Sequence, residues 1–256
     1  SFTSDGFQVD ADVKVNTNAE DYVAWCWKES ATAGFDIVSY TGDGVIGTTV
    51  AHSLSAKPEF IITKARAGTN ANNEWYTWHV GLAANKNINL SRSLAEFTDP
   101  GEGLINTTQN TSTFGFYSSD SSGVINVNED STTFIAYLFA PKQGFSKFGS
   151  YVGNSNADGA FIYLGFRPAF IMIKRTNGTQ WWIMKDNKRD GVGGGNVNTY
   201  LLYPNDSAVE ETNSNAMDLL SNGFKFREGT SGGNNSGGTY IYMAFAEAPF
   251  VNSNGV

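Results

Sequence analysis

The side chains best suited to acid–base or metal chemistry are sparse in this sequence. It contains two histidines, His52 and His79, and a single cysteine, Cys26. A zinc site usually draws its ligands from several His and Cys side chains, so we expect no metal site and no cofactor. The residue types alone allow a Ser-His-Asp triad, but no Gly-x-Ser-x-Gly elbow is present. We therefore interpret both histidines as ordinary polar or stacked side chains.

Clustered carboxylates offer the remaining enzymatic chemistry, which is glycoside hydrolysis by a pair of carboxyl groups. The two clusters are Glu96, Asp99 and Glu102, and Asp206, Glu210 and Glu211. Both lie in polar, loop-like sequence without apolar neighbours that would raise the pKa of one carboxyl into the range of a general acid. We interpret them as solvated acidic loops and expect the protein not to be an enzyme. A polysaccharide depolymerase is the enzymatic alternative.

Adjacent aromatic residues provide candidate binding positions. They form two pairs, Trp75-Tyr76 and Trp181-Trp182. Neighbouring residues of a strand point to opposite faces, so one ring of each pair is expected to be exposed. Exposed Trp and Tyr rings can stack on sugars or anchor another subunit. Trp75, Tyr76, Trp181 and Trp182 are therefore candidate ligand or subunit contacts, although packing in the core or between subunits is the interpretation that we favour.

The overall composition excludes several classes of function. The net charge is −8, with no basic cluster, which disfavours binding to nucleic acid. No apolar run approaches the roughly 20 residues that span a bilayer, so we expect no membrane insertion. The first residues lack the basic and apolar regions of a signal peptide. Cys26 lies between two tryptophans in a strand-like run and is expected to be a buried, inert thiol.

One sequence motif occurs three times along the chain. Each copy has a Gly-Phe start, a polar stretch and an aromatic, β-prone run. Gly6, Gly115 and Gly223 mark the three starts and lie 109 and 108 residues apart. The runs begin at Tyr22, Phe134 and Tyr240. A period this long is more typical of tandem domains than of a solenoid.

The repeat predicts the domain organisation. Residues 1–33 form the back half of a preceding unit, residues 34–143 a first complete unit, and residues 144–256 a second. Each unit contains several short strands separated by turn signals, which predicts an all-β protein of tandem β-sandwich or jelly-roll-like domains. In the second unit, Asn177-Gly178 predicts a type I′ hairpin turn. A short helix is expected over residues 216–220, before Gly223.

A set of motifs distributed along almost the whole chain carries a resemblance to a known family. The motifs include Phe35–Gly42 (FDIVSYTG), Pro58–Ile62 (PEFII), Phe148–Tyr151 (FGSY), Leu219–Lys225 (LLSNGFK) and Met243–Phe250 (MAFAEAPF). Together they resemble an uncharacterised family of repeated domains in virion proteins of bacteriophages, marine phages especially. Members are often described as tail-fibre or host-interaction proteins. The family brings no known catalytic residues.

The resemblance implies a phage fibre or appendage protein that binds a glycan or protein on the host surface. Its implied location is the virion, outside the cell after host lysis. The implied partners are further copies of itself, as in a homo-oligomer such as a trimer, and other virion proteins. A capsid or tail shell component without a receptor role, and a cellular carbohydrate-binding adhesin, are the non-enzymatic alternatives.

Overall fold

Short strands make up almost all of the regular structure. The computed structural model describes residues 3, 6–68, 74–98, 104–105, 109–118, 125–189, 196–212, 215–229 and 232–247. Within these ranges the secondary structure is α1 (Val13–Asn16), β1 (Phe35–Thr41), β2 (Thr49–Ala51), β3 (Phe60–Ala67), β4 (Trp75–His79), β5 (Lys86–Asn89), β6 (Phe97–Thr98), β7 (Leu104–Ile105), β8 (Thr113–Tyr117), α2 (Ile125–Asn128), β9 (Thr133–Phe139), β10 (Ser146–Val152), β11 (Phe161–Tyr163), β12 (Phe170–Arg175), β13 (Ile183–Asp186), β14 (Met217–Leu220), β15 (Gly223–Phe226) and β16 (Thr239–Phe245). The all-β prediction is confirmed.

Two antiparallel sheets form the part of the chain that we call the first unit, residues 34–143. The larger sheet has the strand order β1-β9-β3-β4-β5-β6, and the smaller has the order β2-β8-β7. The aromatic run that begins at Phe134 is β9, which pairs along its length with β1 on one side and β3 on the other. The sheets enclose a core that includes Phe114, Phe116 and Leu138.

The described residues of the second unit, residues 144–256, repeat this arrangement. Its sheets have the orders β10-β16-β12-β13 and β11-β15-β14. The run that begins at Tyr240 is β16, and it lies between β10 and β12 as β9 lies between β1 and β3. The core between the sheets includes Ile171, Leu219 and Phe224. The two units therefore share a strand order as well as the repeated sequence motif.

A further apolar cluster, which we call the shared core, lies between the two units. It includes Phe60 and Phe139 from the first unit, and Phe148, Phe170 and Phe245 from the second. The rings of Phe60 and Phe148 lie 6.2 Å apart, and those of Phe139 and Phe245 lie 5.8 Å apart. Side chains on β9 and β16 alternate between the core of their own unit and the shared core, because successive residues of a strand face opposite ways.

Glycine is required where each unit begins. Gly34 has φ +75°, and a Cβ at this position would lie 2.3 Å from the carbonyl oxygen of Ala140. Gly144, the counterpart 110 residues later, has φ +76°. An L side chain is disfavoured in this region of backbone space, so the sequence uses Gly at both positions.

The second unit departs from two local predictions. The strand β14 occupies residues 217–220, where a short helix was expected, because these residues pair with β15. A hairpin does join β12 and β13, but the type I′ turn is wrong: neither Asn177 nor Gly178 has a positive φ. The Asn177 side chain instead accepts the Thr239 N–H at 3.1 Å and donates to the Gly237 carbonyl at 2.8 Å.

Candidate functional site

The aromatic pair on β4 has one ring in the core and one towards the surface. Tyr76 is buried among the core residues of the first unit. Trp75 is partly exposed and stacks on Tyr137, with ring centroids 6.2 Å apart. The Lys64 ammonium lies 6.0 Å from the centroid of the Trp75 ring. These contacts hold Trp75 in place while part of its ring remains accessible.

The pair that precedes β13 shows the same division. Trp181 is 42% exposed and packs on Tyr203, with ring centroids 5.1 Å apart. Trp182 is buried, and its indole Nε1–H donates to the Asn89 carbonyl of the first unit at 2.9 Å. In this structure neither Tyr76 nor Trp182 is accessible to an external ligand. Among the four predicted contact residues, the accessible rings are therefore those of Trp75 and Trp181.

The accessible part of Trp75 lines an open cleft between the two units, with a volume of about 570 Å³. Leu90 and Ser91 complete the wall from the first unit, and residues 204–207 form the wall from the second. This volume falls in the range of about 300 to 1,000 Å³ that is usual for small-molecule sites. An aromatic ring opposed by amide, carboxylate and hydroxyl groups is well suited to a sugar, which has both apolar C–H faces and polar hydroxyl groups.

The polar wall of the cleft is positioned by its own hydrogen bonds. Asn205 Oδ1 accepts the backbone N–H of Trp182 at 3.0 Å, and the Asp206 N–H donates to the Tyr203 carbonyl at 3.2 Å. Asp206 Oδ1 accepts the Ala208 N–H at 2.8 Å, in a local turn that directs the loop. Trp182 thus links the loop to the shared core.

The carboxylate nearest to Trp75 along the chain is already paired. Glu74 accepts hydrogen bonds from Arg92 Nε at 2.7 Å and from the Ser91 hydroxyl. Burial works to raise the pKa of Glu74, but the hydrogen bonds from Arg92 and Ser91 outweigh it, and the pKa lies below its ordinary value. A carboxyl that stays ionised is unsuited to act as a general acid at neutral pH.

In the described part of the chain, carboxylates of the two predicted clusters are engaged by other groups of the protein. Glu210 forms a salt bridge with Arg189, which also pairs with the buried Asp186. The pKa of the Tyr203 hydroxyl is raised, mainly by burial and to a smaller extent by the neighbouring Glu211. Glu96 accepts the Ala83 N–H at 3.3 Å. Asp99 and Glu102 lie outside the described residues.

His79 contributes to the packing of the first unit on the second. His79 is buried at the end of β4, and its Nδ1 accepts the Gly81 N–H at 2.9 Å. Nε2 therefore carries the proton and donates to the Tyr242 carbonyl of the second unit at 3.0 Å. Burial lowers the pKa of His79 to about 4, although the Tyr242 carbonyl opposes this shift. The ring packs edge-on against Phe60 and Phe148.

The structure also bears on metals and membranes. Among the described residues, no three His, Cys, Asp or Glu side chains lie close enough together to hold a metal ion. In the same part of the chain, no helix has both the length and the apolar composition needed to cross a membrane. Cys26 is exposed, so the prediction of a buried thiol is wrong.

Sequence reasoning did not identify the loop of residues 204–207 as part of a binding site. Its sequence, Pro-Asn-Asp-Ser, signals a turn, and sequence reasoning treats Asp206 only as a member of an acidic cluster. The loop lies more than 100 residues from Trp75 along the chain, and no local pattern connects them. The packing of one unit on the other brings the two walls together.

Comparison with known proteins gives a family and no named function. The chain matches the model of a family described as Domain of unknown function (DUF7483) over residues 1–249. No curated protein and no solved structure matches it. The geometry of the cleft and the sequence resemblance therefore carry the functional argument.

Proposed function

The chain belongs to the DUF7483 family, and we propose that it is a bacteriophage virion fibre or appendage protein that binds a glycan on the host surface. The observation that carries the binding role is the cleft in which Trp75 faces residues 204–207. The virion assignment rests on the motifs that resemble phage fibre proteins. Under this proposal the protein assembles with copies of itself and with other virion proteins, and reaches the medium after host lysis.

A sugar ring fits the chemistry of both walls of the cleft. The exposed part of Trp75 would stack against the apolar face of the sugar, and its contacts with Tyr137 and Lys64 hold the ring in place. Across the cleft, the Asn205 amide N–H₂ and the Asp206 carboxylate would bind sugar hydroxyls. Because Asn205 Oδ1 is used by Trp182, the amide presents its donors to the ligand.

Binding without cleavage is the activity that this arrangement favours. Glu74 is held by Arg92, and Glu210 by Arg189, so neither is free to act beside Asp206. Retaining and inverting glycosidases need two carboxyl groups about 5 to 9.5 Å apart across the scissile bond. The carboxylate of the described residues that lines the cleft is Asp206.

The test measures adsorption and cleavage in one experiment. The purified protein is incubated with an array of bacterial surface polysaccharides, and bound protein and released reducing ends are both recorded. We expect adsorption to a subset of the polysaccharides without release of reducing ends. Trp75→Ala and Asp206→Ala should each weaken binding by about tenfold or more, as expected for anchors at the centre of an interface.

Trp181→Ala provides the matched control, because Trp181 is the other accessible Trp of the predicted set and lies outside the lining of the cleft. Unchanged binding by Trp181→Ala would locate the site in the cleft, provided that the thermal unfolding temperature of all three variants matches that of the native chain. Full binding by Trp75→Ala and Asp206→Ala would contradict the proposed site. Release of reducing ends would favour a depolymerase. No adsorption to any polysaccharide would contradict glycan binding and favour a shell component.

A further inference from the structure

The N-terminal segment, residues 6–29, exposes positions that are buried in the first unit. When the three copies of the repeat are aligned, five residues of the segment correspond to core residues of the first unit. These core residues are at most 1% exposed: Phe116, Val127, Phe134, Ala136 and Leu138. Their counterparts are Phe7, Val15, Tyr22, Ala24 and Cys26, which are all exposed: 47% for Phe7, 46% for Val15 and 53% for Tyr22. The segment therefore carries the side-chain pattern of a sandwich core, and the described part of the chain leaves that face open.

The local structure of the segment follows the repeat. The single-turn helix α1 has the sequence Val-Lys-Val-Asn, and α2 has the sequence Ile-Asn-Val-Asn. Each turn ends six residues before the aromatic run of its copy, at Asn16 before Tyr22 and at Asn128 before Phe134. The corresponding position and similar sequence of the two turns indicate that the segment is a third copy of this part of a unit.

The opposite face of the segment is already packed. Val23, Trp25 and Trp27 alternate with the exposed residues, and Trp25 and Trp27 pack against the shared core. Trp27 corresponds to Phe139 and Phe245. These three rings contact one another, with centroids 5.6 to 6.3 Å apart. The three copies of the aromatic run therefore meet around the shared core in a pseudo-threefold arrangement.

Of the three junctions of this arrangement, the first is complete and the second is partly formed. In the first, Phe60 of β3 packs on Phe148 of β10. In the second, Phe170, the counterpart of Phe60, packs on Trp25 at 5.6 Å and on Trp27 at 5.3 Å. The third junction would cover Ile37, the counterpart of Phe148 on β1. Ile37 is 37% exposed, whereas Phe148 is buried.

The backbone of the segment is also unpaired at this point. Residues 21–29 are in no strand and make no backbone hydrogen bond to another described residue. In contrast, β9 and β16 each have an antiparallel partner on both sides. Two open edges on an extended, aromatic stretch are a ready template for further strands.

We infer that the N-terminal segment is the closing half of a third sandwich, and that it binds a polypeptide carrying the front half of a unit of this type. That partner would place one strand on each side of residues 22–27, as β1 and β3 flank β9. It would cover Tyr22, Ala24 and Cys26 with its apolar face, and its counterpart of Phe60 would cover Ile37. A complete unit cannot take this role, because its own closing strand already fills that place. The inference does not depend on the proposed glycan binding.

Cys26 reports directly on this partner, because it is the only cysteine in the sequence and is exposed. A test protein joins a copy of residues 34–109 directly to Ser1 of the intact chain, which keeps the repeat register from Gly115 to Gly6. The reaction of the thiol with Ellman's reagent is followed in the fused and unfused proteins. We expect fusion to slow the reaction about 100-fold or more, since a buried thiol reacts only when its surroundings open.

The control variant is Ala24→Asp, which places a charge at the counterpart of the buried Ala136. It should leave the unfused chain unchanged and restore fast reaction of Cys26 in the fused protein. If the first fusion is insoluble, residues 144–217 joined to Ser1 supply the other front half in register. An unprotected thiol in both fusions would overturn the inference. Protection of Cys26 in an unfused dimer would overturn it too, by making a second copy the occupant.

Discussion

Acid should destabilise this protein through one buried histidine. His79 is neutral in the folded state, and burial lowers its pKa to about 4, whereas an exposed histidine titrates near 6.5. The unfolded chain therefore binds the proton more readily between these values. The free energy of unfolding contributed by His79 is fully present above about pH 6.5 and falls as the pH drops to about 4. The loss amounts to about 3 kcal/mol.

The perturbation is His79→Gln, assayed by urea unfolding from about pH 7.5 to about pH 4. A glutamine side chain can still donate to the Tyr242 carbonyl and accept from Gly81, but it does not titrate. We expect the variant to lose about 1 to 2 kcal/mol at pH 7.5, because its packing against Phe60 and Phe148 is poorer. Its stability should then fall about 3 kcal/mol less than that of the native chain on acidification.

Comparison between the variants isolates His79 from the other titrating groups. Burial raises the pKa of Glu59, which works in the opposite direction on acidification, but Glu59 is present in both proteins. His52→Gln is the matched control, since burial also lowers the pKa of His52 but its ring is less enclosed. Parallel curves of stability against pH for the native chain and His79→Gln would show that His79 does not have a lowered pKa in the folded state.

Two further predictions concern the contacts between the units. Trp182→Phe should cost about 2 to 4 kcal/mol in urea unfolding, because the Asn89 carbonyl loses its donor and a void remains, whereas Trp181→Phe should change little. Lys174 is fully buried and donates to the Ser93 carbonyl of the first unit at 3.2 Å, and burial lowers its pKa to about 7. The unfolded chain holds this proton up to about pH 10.5, so the free energy of unfolding of the native chain should rise from about pH 7 to about pH 10.5. The rise should be smaller in Lys174→Met. Equal slopes for the two proteins would exclude a buried, neutral Lys174.

The all-β architecture could be predicted from local sequence because each run was long enough to display its own pattern. The run from Phe134 consists of aliphatic and aromatic residues, and so does the run from Tyr240. Both are strands that lie between two partners. The same composition in the run from Tyr22 does not give a strand, and residues 21–29 make no backbone hydrogen bond to another described residue. β-Strand propensity is realised only when neighbouring strands supply hydrogen bonds and packing.

Two predictions that depended on short local signals in the second unit were wrong. Asn177-Gly178 has the sequence of a tight type I′ turn, yet the Asn177 side chain bonds to the loop at Gly237 and Thr239 instead. Residues 216–220 were expected to be helical, but pairing with β15 makes them a strand. A long-range contact in the first case, and a hairpin with the next strand in the second, outweighed a local preference that is worth about 1 kcal/mol or less.

Local sequence was enough to predict the strand-rich structure, the repeated motif, the scarcity of metal-ligating side chains and the pairing of one outward with one inward aromatic ring. Tertiary structure alone decided which rings remain accessible, because Trp182 is buried by the first unit and Trp75 is only partly covered. It also brought residues 204–207 opposite Trp75 and left Cys26 exposed. Such outcomes depend on how one unit packs on another, and that packing joins residues too distant along the chain for any local pattern to relate them.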